Sequence, residues 1–142
     1  MLEVLTIPNV KLNQVCSPVT EFNSELQETI QKMFLTMKLN HGIGLAAPQV
    51  GITKRFFVAE VDKQKLVCVN PTLSLAGDEF ESEEACLSIP DTTLSVTRRR
   101  EVIIDAYDEY GQRFQNSFTG LLAIVIQHEF DHLNGVLITD KK

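Results

Sequence analysis

Between residues 20 and 40 the apolar positions fall at Phe22, Leu26, Ile30, Met33, Phe34 and Met37, the spacing of one helical face. Thr20 or Asn23 can cap its start, and Gly42 closes it. GIGLAAPQVGI, residues 42–52, is rich in Gly and Ala around one Pro. It reads as an extended loop where something approaches the backbone closely. Segments 55–61 (RFFVAEV), 66–70 (LVCVN) and 101–107 (EVIIDAY) are β-branched or aromatic and of strand length, and DEYG turns the chain into RFQNSF. A last helix begins near Thr119 and runs GLLAIVIQHEFDHLNG, with Gly135 as a stop. Residues 121–126 are apolar on every side, so this helix is expected to be buried. These patterns predict an α+β domain, antiparallel β-sheets around a buried C-terminal helix.

That helix carries His128, Glu129, Asp131 and His132, and unpaired polar groups inside a protein are costly. Residues four apart stand one above the other on a helix, so the H-E-x-x-H pattern aims two imidazoles at one point with Glu129 beside it. A lone buried His is usually a core residue with a hydrogen-bond partner. Two of them flanking a Glu behind an apolar lead-in point instead to a metal. Sites of this type commonly take three protein ligands and leave a position for water. A downstream third His is excluded, because Ile138 holds the required position, and no Glu follows Glu129. The third ligand therefore lies upstream, among His41, Cys16, Cys68, Cys86 and the carboxylates. Cys16 sits in a segment without polar company, and Cys68 within LVCVN reads as a small buried hydrophobe. Cys86 lies in EEACLSIP, read as an irregular stretch where a thiolate can face a site.

Composition narrows the class. At 142 residues, 44% hydrophobic and 23% charged, with no repeat or dividing linker, the chain fits one compact domain, residues 1–142. The net charge is −6 and the one basic run, Arg98–Arg100, is followed at once by Glu101, which argues against nucleic acid as a partner. The acidic patch 78–84 reads as a solvated loop. MLEVLTIPNVKL has no charged-then-apolar leader pattern, and no apolar run approaches the roughly 18 residues of a spanning helix. The expectation is a cytoplasmic protein without membrane contact, and three Cys make no disulfide framework.

GIGLAAPQ (42–49), EACLS (84–88) and QHEFDHLNG (127–135), in this order and at these separations, resemble the three signature motifs of the peptide deformylases, and the likeness extends over nearly the whole chain. The resemblance implies a peptide deformylase-like fold. It also implies removal of the formyl group from the N-terminal formylmethionine of new polypeptides, with release of formate, by a divalent metal that is natively Fe(II) in many members. Zn(II), Ni(II) or Co(II) are the expected substitutes in purified protein. By matching position, Cys86, His128 and His132 are the implied metal ligands and Glu129 the acid–base. The Gln49 side chain and the Leu87 N–H are the implied donors to the carbonyl oxygen. Ile43, Gly44 and Leu45 are implied to pair with an extended peptide through the backbone, a strand-addition mode. Ile43, Leu87, Ile124 and Val125 are implied to surround the methionine side chain. Asp131 is expected to pair with Arg98 as support for the helix.

The usual motif has Gly where this chain has Ala85; a left-handed backbone there would strain it by roughly 1–2 kcal/mol, and a negative φ would leave it harmless. Many bacterial members continue into a C-terminal helix beyond the position of Lys142. Ribosome engagement is therefore expected to be only weak. The expected partners are formylmethionyl nascent peptides, the expected state a monomer, and the expected place the bacterial cytosol, or a host cytosol if the source is a phage. The rival readings are an internal-bond metallopeptidase and an inactive metal-containing relative that binds formylated N-termini.

Overall fold

The computed structural model describes residues 1–141. Helix α1, Ser24–Leu39, begins where the Asn23 side chain accepts a hydrogen bond from the Leu26 N–H at 3.0 Å, so Asn23 and not Thr20 is the cap. It ends differently from the sequence expectation. His41, at φ 60°, takes the left-handed conformation, and the Gly42 N–H returns to the Met37 carbonyl at 2.9 Å. Leu26, Ile30, Met33 and Met37 are buried and pack against Leu45, Phe56, Val58 and Val69 of the sheet. Full burial of each such side chain contributes about 1.5–3 kcal/mol.

The sheet is an antiparallel meander, β1 (Gly44–Ala46), β2 (Phe56–Val61), β3 (Gln64–Cys86), β4 (Ile89–Tyr107) and β5 (Arg113–Thr119), each strand beside the next. Three stretches differ from their sequence reading. The Gly- and Ala-rich segment is no mere loop: Gly44–Ala46 pairs with Phe57–Ala59 on β2, and Ala47–Val50 forms a 3₁₀ turn. The acidic patch 78–84 and the EEAC stretch both belong to β3, a 23-residue strand bent by register shifts between Val69 and Thr72 and between Ala76 and Glu79. Its end alternates strictly, with Ser82, Glu84 and Cys86 inward and Glu81, Glu83 and Ala85 outward. The inward set is polar, so the alternation left no hydrophobic signal to read.

Helix α2, Gly120–Leu133, lies against the sheet. Ala123, Val125, Ile126 and Leu133 form a core with Phe57, Ala59, Cys68, Val102 and Ile104. Gly135 closes it at φ 73°, where a Cβ would stand 2.5 Å from the Asn13 carbonyl oxygen. The expectation that its first turns are buried on all sides fails at Leu121, which is 51% exposed, and at the half-buried Ile124. Both open onto the cleft described below. Among the described residues no helix is long and apolar enough to cross a membrane.

The first residues run as a strap across these elements. The Leu2 N–H donates to Thr36 Oγ1 at 2.8 Å, the Leu5 N–H to the Gln49 carbonyl at 2.7 Å and the Ile7 N–H to the Ser88 carbonyl at 2.9 Å.

Candidate metal centre and active site

Two elements converge on one cluster: the end of β3 brings Cys86, and α2 brings His128 and His132. Their ligand atoms all lie within 4.8 Å of one another. Cys86 Sγ is 3.4 Å from His132 Nε2, near the roughly 3.5 Å separating a sulfur and a nitrogen that share a tetrahedral metal at usual bond lengths. His128 Nδ1 stands 2.9 Å from Glu84 Oε1, and with that nitrogen carrying the donated proton, Nε2 keeps a free lone pair. One thiolate and two imidazoles are a fitting donor set for a borderline-soft divalent cation. His41 lines the cleft described below but is not part of the cluster, while Cys16 and Cys68 lie in the core away from it. Burial raises the thiol pKa of both, well above the ordinary value at Cys68.

Glu84 is one of two residues that sequence reasoning missed. It is buried, and it accepts from Arg98 Nε at 2.8 Å and Arg98 Nη2 at 2.7 Å, a two-pronged pair. Arg98, itself only 3% exposed, also donates to Asp131 at 2.7 Å, as expected of the Arg98–Asp131 pair. Burial alone would raise the Glu84 pKa, but the hydrogen bonds from Arg98 and His128 outweigh it and hold the carboxyl down at about 2. Burial works against protonated His128, yet hydrogen bonds to Cys86 and Glu84 lift it to about 10. A metal at the cluster competes with that proton. Gln127 further pins α2 to β4, accepting from the Arg99 N–H and donating to the Arg99 carbonyl.

Glu129 lies beside the cluster, 5% exposed, and its Oε1 has no hydrogen-bond partner among the described residues. Burial raises its pKa to about 7, with His128 and Arg98 pulling the other way. Room for this carboxyl comes from Gly44, where a Cβ would stand 2.5 Å from Glu129 Oε2 and 2.8 Å from Val125 Cγ1. Gln49 is 2% exposed. Its Oε1 accepts from the Ala46 N–H at 2.9 Å, which turns Nε2 toward Ser88 Oγ at 3.1 Å and Cys86 Sγ at 3.6 Å. Ser88, fully buried, therefore orients the amide. Both Glu84 and Ser88 stood in plain sight in EACLS, unassigned.

A cleft of about 620 Å³ opens over these groups, lined by Ile43, Gly44, Leu87, Ile124 and Val125 as well as Gln49, Cys86, His128 and Glu129. Leu45 is the exception. Its side chain is fully buried in the core beneath the sheet, so only its backbone is available to a ligand. Ala85 is not among the residues with positive φ, so the Gly-to-Ala departure carries no left-handed strain.

A buried carboxyl poised near neutrality beside a Cys-His-His cluster, at the floor of an apolar cleft, defines a metal-dependent hydrolase. The comparisons name which one. The sequence profile of the polypeptide deformylase family matches residues 1–142. A peptide deformylase of Heliobacterium modesticaldum is 45% identical over 139 residues, 98% of this chain and 92% of that one. The peptide deformylase of Thermotoga maritima superposes with a TM-score of 0.97 at 37% identity, over 99% of this chain and 97% of that one. The Met-Ala-Ser-bound class I type b enzyme of Acinetobacter baumannii gives 0.96 at 29%, over 100% and 98%. The chain belongs to the peptide deformylase family. It is a metal-dependent enzyme that hydrolyses the N-formyl group from nascent polypeptides.

Proposed function

We propose that, within a single catalytic domain of residues 1–142, Cys86, His128 and His132 hold the divalent metal and Glu129 is the acid–base. The observation that carries this reading is Glu129, a buried carboxyl with an unpartnered oxygen raised to about 7 beside a Cys-His-His cluster. The metal supplies Lewis acidity that makes water ionisable near neutral pH. Glu129 takes a proton from the water, whose oxygen bonds to the formyl carbon, and passes the proton to the amine as the C–N bond breaks; formate and a free methionyl N-terminus result. As the carbon turns tetrahedral, negative charge gathers on the formyl oxygen. The Gln49 amide and the Leu87 N–H face it, preset by Ala46 and Ser88 for the former.

The peptide lies along β1, which pairs with β2 on one side only; the Ile43 carbonyl is taken by the Glu60 N–H at 2.9 Å, so an added strand pairs with the backbone groups of residues 43–45 that face away from β2. The methionine side chain enters among Ile43, Leu87, Ile124 and Val125. The Met-Ala-Ser held by the Acinetobacter relative, a peptide that begins with methionine, supports this placement. Fe(II) is the native metal, on the family resemblance, with Zn(II), Ni(II) or Co(II) able to replace it. The enzyme acts in the cytoplasm as a monomer on formylmethionyl chains.

The test is formate release from a formylmethionyl peptide by anaerobically prepared, fully metallated protein, with metal analysis on the same sample. Glu129→Gln should lower turnover by at least about 10²-fold and leave the metal bound. Undiminished turnover in that variant overturns the role of Glu129, and binding of formyl peptide without formate marks an inactive relative.

A further inference from the structure

The strap formed by residues 2–7 touches the site at two points that its own chemistry does not explain. Only N–H groups make these contacts. The Leu5 N–H donates to the backbone carbonyl of Gln49 at 2.7 Å, and the Ile7 N–H to the backbone carbonyl of Ser88 at 2.9 Å. Gln49 supplies the side-chain donor proposed for the formyl oxygen, and Ser88 immediately follows Leu87, which supplies the backbone donor. The two acceptors belong to different parts of the chain, the 3₁₀ turn Ala47–Val50 and the link between β3 and β4. Between these segments the direct polar link recorded is through the Gln49 side chain, to Ser88 Oγ and Cys86 Sγ. The strap therefore joins their backbones where their side chains alone must carry the register. Leu5 lies just before, and Ile7 within, the turn closed by the Asn9 N–H on the Thr6 carbonyl at 3.1 Å, and one short segment thus reaches both carbonyls at once. Its side chains brace it from either flank: Val4 packs on the cluster that includes Leu45, Ala47 and Leu87, and Leu5 on the cluster that includes Cys86 and Ile89.

We propose that Leu5 and Ile7 are positioning residues, whose N–H groups set the separation of the Gln49 and Leu87 donors. This rests on the oxyanion role given to those donors above. Donors of this kind act only where their aim is fixed before the charge develops. A displacement of about 1 Å is enough to cost up to about 10²-fold in rate. The strap thus acts on the transition state through backbone geometry, and none of its residues lines the cleft.

The chain offers its own junction for the test. A synthetic thioester of residues 1–15 can be ligated to a fragment beginning at Cys16, and the full-length product refolded and loaded with Zn(II). Replacing the amide before Leu5, or that before Ile7, with an ester removes the N–H and keeps every side chain. An ester before Val4, whose N–H makes no hydrogen bond among the described residues, is the control. The expected result is a fall in kcat of about tenfold for each of the first two esters, with KM and zinc content unchanged. A kcat equal to that of the Val4 control overturns the proposal. So does a fall accompanied by equal loss of zinc, which marks the strap as a support of the fold alone. Gln49→Ala, measured alongside, separates the two ideas: if it keeps full kcat, the oxyanion reading itself fails, and if it loses kcat while the esters do not, only the strap proposal fails.

Discussion

Replacing Glu84 by Gln leaves the shape of the site and removes one charge. In the native chain that carboxylate, 5% exposed, faces Arg98, 3% exposed, and His128. Without it, Arg98 keeps only Asp131, which is itself 21% exposed. Removing one partner of a buried ion pair typically costs about 3–5 kcal/mol, because the other charge stays buried. The pKa gives an independent figure. At about 1.4 kcal/mol per pH unit, a fall from 4.5 to about 2 corresponds to about 3 kcal/mol. The sign follows from the direction of the shift. A carboxyl depressed in the folded state stabilises fully above its unfolded value, and that contribution fades as pH falls toward the folded one. Urea unfolding of the metal-free native and Glu84→Gln proteins should therefore show a difference of about 3 kcal/mol at pH 7 that narrows steadily from pH 4.5 toward pH 3. Weakening the acceptor on His128 from a carboxylate to an amide oxygen should also weaken zinc binding, by about 10-fold or more. A difference at pH 7 below about 1 kcal/mol, or one that does not change with acid, refutes the reasoning.

Two further substitutions probe the site from the backbone. Gly44→Ala places a methyl group 2.5 Å from Glu129 Oε2, so the carboxyl must move, and kcat should drop by about 10²-fold with zinc content unchanged; steady-state kinetics within about threefold of the native enzyme would show that the carboxyl has slack. Ala85→Gly restores the usual family residue at a position without positive φ. It should lower stability by about 0.5–1 kcal/mol through added chain freedom and leave the rate within about twofold; a rate increase of about tenfold would mean that Ala85 does constrain Cys86.

The elements that announced themselves in the sequence are those where burial and hydrophobicity coincide. Helix α1 showed its buried face residue by residue, and α2 combined an apolar lead-in with a polar tail that only a site explains. The Arg98–Asp131 pair was legible because a charged residue on a buried helix requires a partner. Glu84 was not, because it sits in a run of carboxylates whose other members are solvated, and only the pairing of β3 with β4 decides that Ser82, Glu84 and Cys86 turn inward. Leu121 misled in the opposite sense. Its apolar character matches burial, but it fronts an open cleft, where exposure serves a ligand. The strap was invisible for a plainer reason: its contacts are made by backbone N–H groups, which every residue but proline carries.

Strand β1 stands at the rim of the sheet, with its second side unpaired. An open rim of this kind is a hazard, since any exposed strand from another molecule can continue the ladder and seed aggregation. Here the rim is three residues long, Gly44–Ala46, and the chain turns away at once into the 3₁₀ segment with Pro48. Such a rim can hold the first few residues of an emerging chain, yet it is too short to template a second sheet. The opposite rim, β5, is seven residues long, so the brevity of β1 guards only the side on which the proposed substrate would lie.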